Sequence, residues 1–320
     1  MNKKINVLSS VDFTMLGEEF KELKKKIIFN FFINSKKKTL EKIKYADIYI
    51  ASAYFRLDKN ILDKAENLKI IFSPATGKDH LDLVEIKKKK IKLYHIAKEI
   101  RLLKRFTATS ELVFGLILTL YRSLIKNALA AKNGYWIRSK FKGWQLFGKT
   151  IGIIGLGRLG TITAKIAKGF GMKIIAYDTD KDIKVKGVKN VGLEYLLKNS
   201  DIITIHIHLN KKNKNFIEKN KITIMKNDVI LINTSRGKII NEADLLYFLK
   251  KRKHFRVALD VIDGEWLSRK DLKNHRLIKY SKINQNLLIV PHIGGSTEES
   301  IYGARAFQVK QILRLLKNKI

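Results

Sequence analysis

Short β-branched runs alternate with amphipathic stretches of helical period from one end of this chain to the other, and that rhythm leaves few folds open. A strand that reaches the next strand through a helix pairs with it in parallel, and the helices then cover both faces of the sheet. The chain is therefore read as α/β throughout, with parallel sheets.

The strand candidates fall into two groups. In the first third they are residues 5–8, 27–33, 47–51, 69–72 and 91–94, each followed by a Lys-rich amphipathic stretch. Five strands in this rhythm suit a small flavodoxin-like domain. A second block opens at Gly148-Lys149-Thr150, with candidates at 151–154, 173–177, 202–205, 229–233, 256–260 and 287–290. Six strands suit a doubly wound, Rossmann-type domain.

Between the groups a single helix is predicted from about Ala108 to Ala131, with Leu112, Leu116, Leu120 and Leu124 at four-residue spacing. Val113, Phe114, Ile117 and Leu118 spread its apolar surface beyond one face, so it needs cover on several sides, between domains or subunits. The last segment opens Ser296-Thr297-Glu298-Glu299, read as a capping box with Ser296 at the N-cap and Glu299 three residues on. A closing helix is expected to follow, carrying Ile312, Leu315 and Leu316, with no regulatory domain after it.

Composition narrows the chemistry. The 320 residues suit about two domains. With no cysteine, disulfides, thiolate metal sites and cysteine nucleophiles are excluded, and no metal site is expected. The apolar runs around Ile27–Ile33 and Leu112–Leu120 are far shorter than the roughly 20 residues a bilayer requires. The first residues lack a signal-peptide core, so a cytoplasmic protein with no membrane partner is expected. A net charge of +36 would ordinarily point to a polyanion. The lysines are scattered over every surface segment alongside abundant Ile and Asn, however, and the A/T-rich codons shared by all three account for the excess. No nucleic-acid partner is expected.

The sharpest motif is Gly155-Leu156-Gly157-Arg158-Leu159-Gly160, directly after a β-branched strand. Leu159, Ile162, Ile166 and Phe170 follow at helical spacing, so a helix begins inside it. Gly155 permits the tight turn, Gly157 lets the backbone approach a pyrophosphate, and Gly160 lets helix and strand pack closely. The helix N-terminus offers N–H groups and partial positive charge to the anion. Asp178 ends the next strand, placed to accept from the adenosine ribose hydroxyls and to repel a 2′-phosphate. The pattern implies a dinucleotide, and NAD over NADP.

Three further segments sit at predicted C-terminal strand ends, where open α/β sheets bind ligands. They are Asn233-Thr234-Ser235-Arg236-Gly237, the run from Ala258 through Asp260 to Glu265, and Pro291-His292-Ile293-Gly294-Gly295. An Arg, a Glu and a His thus converge on one sheet edge. Oxidising a secondary alcohol requires a base for the hydroxyl proton, and an imidazole backed by a carboxylate suits that task. Arginine can grip a carboxylate through paired donors and polarise a carbonyl. Arg236, Glu265 and His292 make a kit for interconverting 2-hydroxy and 2-oxo acids.

In this order, G-x-G-x-x-G, T-S-R-G, D-V-x-x-x-E and P-H-I-G-G, the chain resembles the D-isomer-specific 2-hydroxyacid dehydrogenases, which include phosphoglycerate, glyoxylate or hydroxypyruvate, and D-lactate dehydrogenases. The segment from Ser73 to Asp82 looks like that family's substrate loop, and Ala108 to Gly115 matches as well. The resemblance implies an NAD-dependent enzyme acting on a small 2-hydroxy or 2-oxo acid. It implies that Arg236 holds the substrate's carboxylate and oxo group, that His292 is the acid/base and Glu265 its partner, and that N–H groups near Thr76 and Gly77 bind the carboxylate. It further implies that Arg158 and Leu159 offer N–H groups to the pyrophosphate and that Asp260 meets the nicotinamide carboxamide, with His206, Thr234 and Gly294 completing the cofactor set.

The implied architecture is discontinuous: a substrate domain of residues 1–102 and 295–320, an NAD domain of 103–294 between, a cleft that closes over substrate, and a homodimer formed through the long helix. Two positions depart from the family's pattern: Trp266 follows Glu265 where Pro is common, and His208 replaces the Pro of L-H-x-P-L. A phosphorylated substrate would welcome the extra lysines. The competing reading is a non-catalytic, NAD(H)-sensing, corepressor-like or protein-binding member of the same fold.

Overall fold

The computed structural model describes residues 4–265 and 269–317 of the chain. They form two compact units, one running to Phe106 and resuming at Thr297, the other spanning Thr107–Ser296.

The first unit is built on five parallel strands, β1 (Ile5–Ser9), β2 (Ile27–Phe31), β3 (Ile48–Ile50), β4 (Ile70–Ser73) and β5 (Lys92–His95), in the order β2-β1-β3-β4-β5. This is the flavodoxin-like order. Because side chains alternate along a strand, neighbours in sequence serve opposite cores. Leu8, Tyr49 and Ile71 face one, while Val7, Ile48, Ile50, Ile70 and Phe72 face the other. The second core is completed by Val309 and Ile312 of the final helix Glu298–Lys317, both fully buried. At about 1.5–3 kcal/mol for each such side chain, their burial is a sufficient reason for the chain to return to its first unit. Thr297, not Ser296, caps this helix: its Oγ1 accepts from Ser300 N–H at 3.3 Å. The Ser296 N–H instead closes a turn on the Ile293 carbonyl at 2.9 Å.

The second unit carries seven parallel strands: β6 (Thr150–Ile154), β7 (Lys173–Tyr177), β8 (Lys189–Asn190), β9 (Ile202–Ile205), β10 (Ile230–Asn233), β11 (Arg256–Leu259) and β12 (Leu287–Ile289). Their order is β12-β11-β10-β9-β6-β7-β8, the doubly wound Rossmann arrangement, inserted in sequence between the two parts of the smaller unit. Strand β8, two exposed polar residues, carries no hydrophobic pattern and was not expected from the sequence. Strand order reverses between β6 and β9, which opens a crevice at their C-terminal ends.

The long helix divides at Ser123. Residues Ala108–Arg122 form one helix and Leu124–Lys132 another, with Ser123 between them in the left-handed conformation at φ 49°. Asn127 Nδ2 satisfies the carbonyl that Arg122 leaves unpaired, at 2.8 Å. The broad apolar surface of the first helix is covered inside its own unit, where Val113, Phe114, Ile117 and Leu120 pack with Ile151, Ile230 and Ile232. The second helix buries no residue. Even four-residue spacing of leucines thus spanned two helices with different surroundings.

The helix that begins within the glycine motif, Arg158–Gly169, turns its small residues inward. Its fully buried residues are Gly160, Thr163, Ala164 and Ala167, while Leu159, Ile162 and Ile166 are half-buried and Phe170 is exposed, stacked on Phe114. Small residues win the inner face because the helix lies close against its strand. A Cβ on Gly160 would meet the Gly155 carbonyl oxygen at 2.0 Å.

Candidate active site

The loop after β6 turns at Gly155, whose φ of 95° few side-chain-bearing residues adopt. At Gly157, which caps the helix with no side chain of its own, a Cβ would meet nothing within 4 Å, so the space before the helix N-terminus is open. Asp178, just beyond β7, is held in place by two backbone donors: Leu156 N–H at 2.6 Å and Asp180 N–H at 3.0 Å. A negative charge therefore stands at the lip of the phosphate turn. Burial holds the Arg158 guanidinium below its ordinary value.

His206, beyond β9, lies between two hydroxyls, Thr204 Oγ1 at 3.0 Å and Thr163 Oγ1 at 3.3 Å. Burial pulls its pKa down to about 4, so the ring is neutral. His208 is exposed, and its carbonyl accepts from Asn213 Nδ2 at 2.6 Å. Beyond β10, fully buried Asn233 braces the next turn: its Oδ1 accepts from Ser235 N–H and Oγ, and its Nδ2 donates to the Arg236 carbonyl. Arg236 is half-buried, with Nη1 donating to the Ser235 carbonyl at 2.7 Å. Thr234 Oγ1 is buried with no partner among the described residues, an arrangement that costs free energy unless a ligand supplies one.

The β11 and β12 loops meet at Asp260 and His292. His292 has its backbone in the left-handed region at φ 54°, unusual for a residue other than glycine. Asp260 accounts for this, since it is 2% exposed and accepts from Ile293 N–H at 2.6 Å and Gly294 N–H at 2.9 Å, while its carbonyl accepts from His292 N–H at 2.8 Å. Thr109 Oγ1 closes the loop from the far side on the Gly294 carbonyl. The sequence suggested Asp260 and Gly294 as cofactor contacts and gave no sign that they grip each other. Burial raises the Asp260 pKa against the pull of those two N–H groups and of His292.

His292 Nδ1 lies 3.0 Å from Glu265 Oε2, with the imidazole 38% and the carboxylate 15% exposed. Burial lowers the imidazole pKa, but the hydrogen bond to Glu265 and the charges of Glu265 and Asp260 outweigh both that and the nearby Arg236, and the net shift is upward. A buried carboxylate on Nδ1 fixes the tautomer and stabilises the protonated ring. Arg236, Glu265 and His292 thus share one electrostatic neighbourhood on a single unit.

Residues 114–294 match the family model for the D-isomer specific 2-hydroxyacid dehydrogenase, NAD binding domain. This chain belongs to that family. Among its relatives, D-3-phosphoglycerate dehydrogenase of Methanocaldococcus jannaschii is 34% identical over 290 residues, covering 89% of this chain but only 53% of that protein, so the chain spans about half its length. Glyoxylate reductase of Thermococcus litoralis is 33% identical over 291 residues, covering 88% and 84%. The crystal structure of D-lactate dehydrogenase from Aquifex aeolicus, complexed with NAD and lactic acid, superposes with a TM-score of 0.84 at 29% identity, covering 98% and 96%.

NAD is the cofactor of this dehydrogenase, and its second unit fits that group: an open glycine turn, a carboxylate at its lip and an unpartnered hydroxyl at Thr234. In the first unit, Thr76 and Gly77 lie in the loop after β4. His95 takes the Ala97 N–H on Nδ1, so its proton is on Nε2, which faces the Gly77 carbonyl at 3.4 Å. Ser73 Oγ meets His80 Nε2 at 3.1 Å across the same loop. Trp266 lies outside the described residues. No single helix among the described residues is long and apolar enough to cross a membrane.

Proposed function

We propose that this chain interconverts a D-2-hydroxy acid and its 2-oxo acid by hydride transfer to and from NAD, with His292 as acid/base. The observation that carries this reading is the 3.0 Å contact between His292 Nδ1 and Glu265 Oε2 on a loop pinned by Asp260. When bound, NAD supplies the hydride acceptor. In the oxidative direction, His292 takes the hydroxyl proton on Nε2 and Glu265 stabilises the imidazolium so formed. In the reductive direction, the same imidazolium returns the proton. Arg236 pairs with the substrate's carboxylate and polarises its oxo group, and we assign the backbone N–H groups of Thr76 and Gly77 to the same carboxylate.

Toward the cofactor, we assign the N–H groups of Arg158 and Leu159, with Gly155, Gly157 and Gly160, to the pyrophosphate, and Asp178 to the adenosine ribose. His206, Thr234, Asp260 and Gly294 are assigned to the remaining contacts, with Asp260 meeting the nicotinamide carboxamide. On this reading residues 1–102 and 295–320 serve the substrate and 103–294 serve NAD, in the cytoplasm. The deciding measurement is NADH absorbance with purified protein against glyoxylate, hydroxypyruvate, pyruvate and phosphohydroxypyruvate. Turnover of at least one, abolished in His292→Ala while NADH still binds, is expected. NADH binding without turnover of any would favour a sensing, corepressor-like role instead.

We further assign a homodimer to the segment after Ser123, where Leu124, Ile125, Leu129, Trp136 and Phe147 are between 48% and 83% exposed. So many exposed large apolar side chains within one segment fit an interface. Light scattering should give twice the chain mass, and Leu124→Lys with Leu129→Lys should halve it; a monomeric wild type would remove the assignment.

A further inference from the structure

A second histidine–carboxylate pair lies just upstream of Glu265. Glu242 opens the helix Glu242–Lys251, whose N-cap Asn241 accepts from Ala243 and Asp244 N–H. Its Oε1 accepts from Asp263 N–H at 2.8 Å, and its Oε2 lies 3.1 Å from His275 Nε2. His275 Nε2 also faces the Asp263 carbonyl at 3.0 Å. One Glu–His pair therefore holds both backbone polar groups of Asp263, two residues before Glu265. Lys238 Nζ stands 3.7 Å from the Asp263 carboxylate.

From the other side the same peptide is blocked. Gly237, next to Arg236, packs so tightly on it that a Cβ would meet the Ile262 carbonyl carbon at 2.1 Å and Asp263 N at 2.3 Å. Between this peptide and Glu265 lies only Gly264, at φ 86°. The pair is well buried, with Glu242 20% and His275 12% exposed. Among the described residues His275 Nδ1 is buried without a hydrogen-bond partner. Two acceptors, Glu242 Oε2 and the Asp263 carbonyl, converge on Nε2, so a proton stands on that nitrogen and is oriented to donate to the clamp.

We infer that Glu242 and His275 are positioning residues that clamp Asp263 and thereby hold Glu265 in register with His292. Glu265 rides on a loop, and a catalytic carboxylate must be held within about half an ångström to keep its hydrogen bond. The clamp supplies this from a helix start and from the residue preceding the helix Arg276–Ser281. It rests on the reading of His292 and Glu265 as an acid/base pair, but its test does not need turnover.

In the full chain with histidine labelled at ring carbon, NMR follows the His292 titration, assigned by its loss in His292→Asn. Glu265→Gln sets the full downward displacement of that titration. His275→Leu, which fills the space but donates nothing, should lower it by about half a pH unit or more, and His275→Gln, which keeps an N–H donor, should recover most of that shift. A titration unmoved in folded His275→Leu, or equally moved in the Leu and Gln variants, would overturn the clamp. If His275→Leu does not fold, Glu242→Ala with its conservative counterpart Glu242→Gln asks the same question from the other end. If no oxo acid is turned over while the titration shifts as described, the clamp stands and the catalytic reading falls; the reverse pattern separates the two the other way.

Discussion

The grip of Asp260 on the His292 loop can be measured directly by Asp260→Asn. The carboxylate accepts the N–H groups of two consecutive residues, Ile293 at 2.6 Å and the buried Gly294 at 2.9 Å. An amide of the same shape can accept only one of them and turns its own NH2 toward the other. One buried donor left unmet costs about 1–3 kcal/mol, and the surviving bond loses its charge assistance, about 1 kcal/mol more. Release of His292 from its left-handed backbone returns about 1–2 kcal/mol at most. The expected net loss is about 1–2 kcal/mol in the unit Thr107–Ser296.

Tryptophan fluorescence isolates that unit, because the three tryptophans, Trp136, Trp144 and Trp266, all fall by position within it. In urea at pH 8, with a slope of about 2 kcal/mol per molar, the midpoint should fall by about 0.5–1 M. A midpoint within about 0.2 M of wild type would refute the reasoning, since the two N–H groups would then have found other partners at no cost.

Two further outcomes follow from the titrating groups. In Glu265→Gln the His292 imidazole loses its largest stabilising partner, and its raised pKa falls. Oxidation requires the neutral ring, so the acid limb of its pH–rate profile should move to lower pH by about one unit while kcat falls about tenfold or more; an unmoved limb would separate Glu265 from the titration. His206 behaves oppositely: its folded pKa of about 4 lies below the ordinary 6.5, so the unfolded chain takes up a proton first as pH drops. Its contribution to stability is present above about 6.5 and is lost progressively toward 4, and His206→Asn should flatten that loss in a series of urea unfolding curves across this range.

Local periodicity reaches far into this protein. All eleven strand candidates correspond to observed strands, with ends shifted by at most two residues, because short apolar runs set between amphipathic stretches are recognisable from local pattern alone. The glycine motif was equally legible, since a tight turn and a close helix each exclude a Cβ at a fixed spacing. The order of motifs along the chain further placed Arg236, Glu265 and His292 at the ends of neighbouring strands.

What the sequence left open depends on atoms that meet across long stretches of chain. A leucine ladder could not show that Ser123 divides the helix, because spacing is blind to which half finds a sheet to cover. The helical spacing of Leu159, Ile162 and Ile166 placed a helix without saying which face it buries, and the close approach at Gly160 gave the inner face to Thr163, Ala164 and Ala167. Asp260 turned out to brace the loop of His292, thirty-two residues on, and Glu242 and His275 to grip Asp263 from two other elements. Composition and pattern thus determined by themselves the α/β class, the two sheets and the residue types available for hydride-transfer chemistry. Only the tertiary structure decided which carboxylate holds which backbone, because a buried hydrogen bond is selected by three-dimensional proximity and desolvation, neither of which leaves a period in the chain.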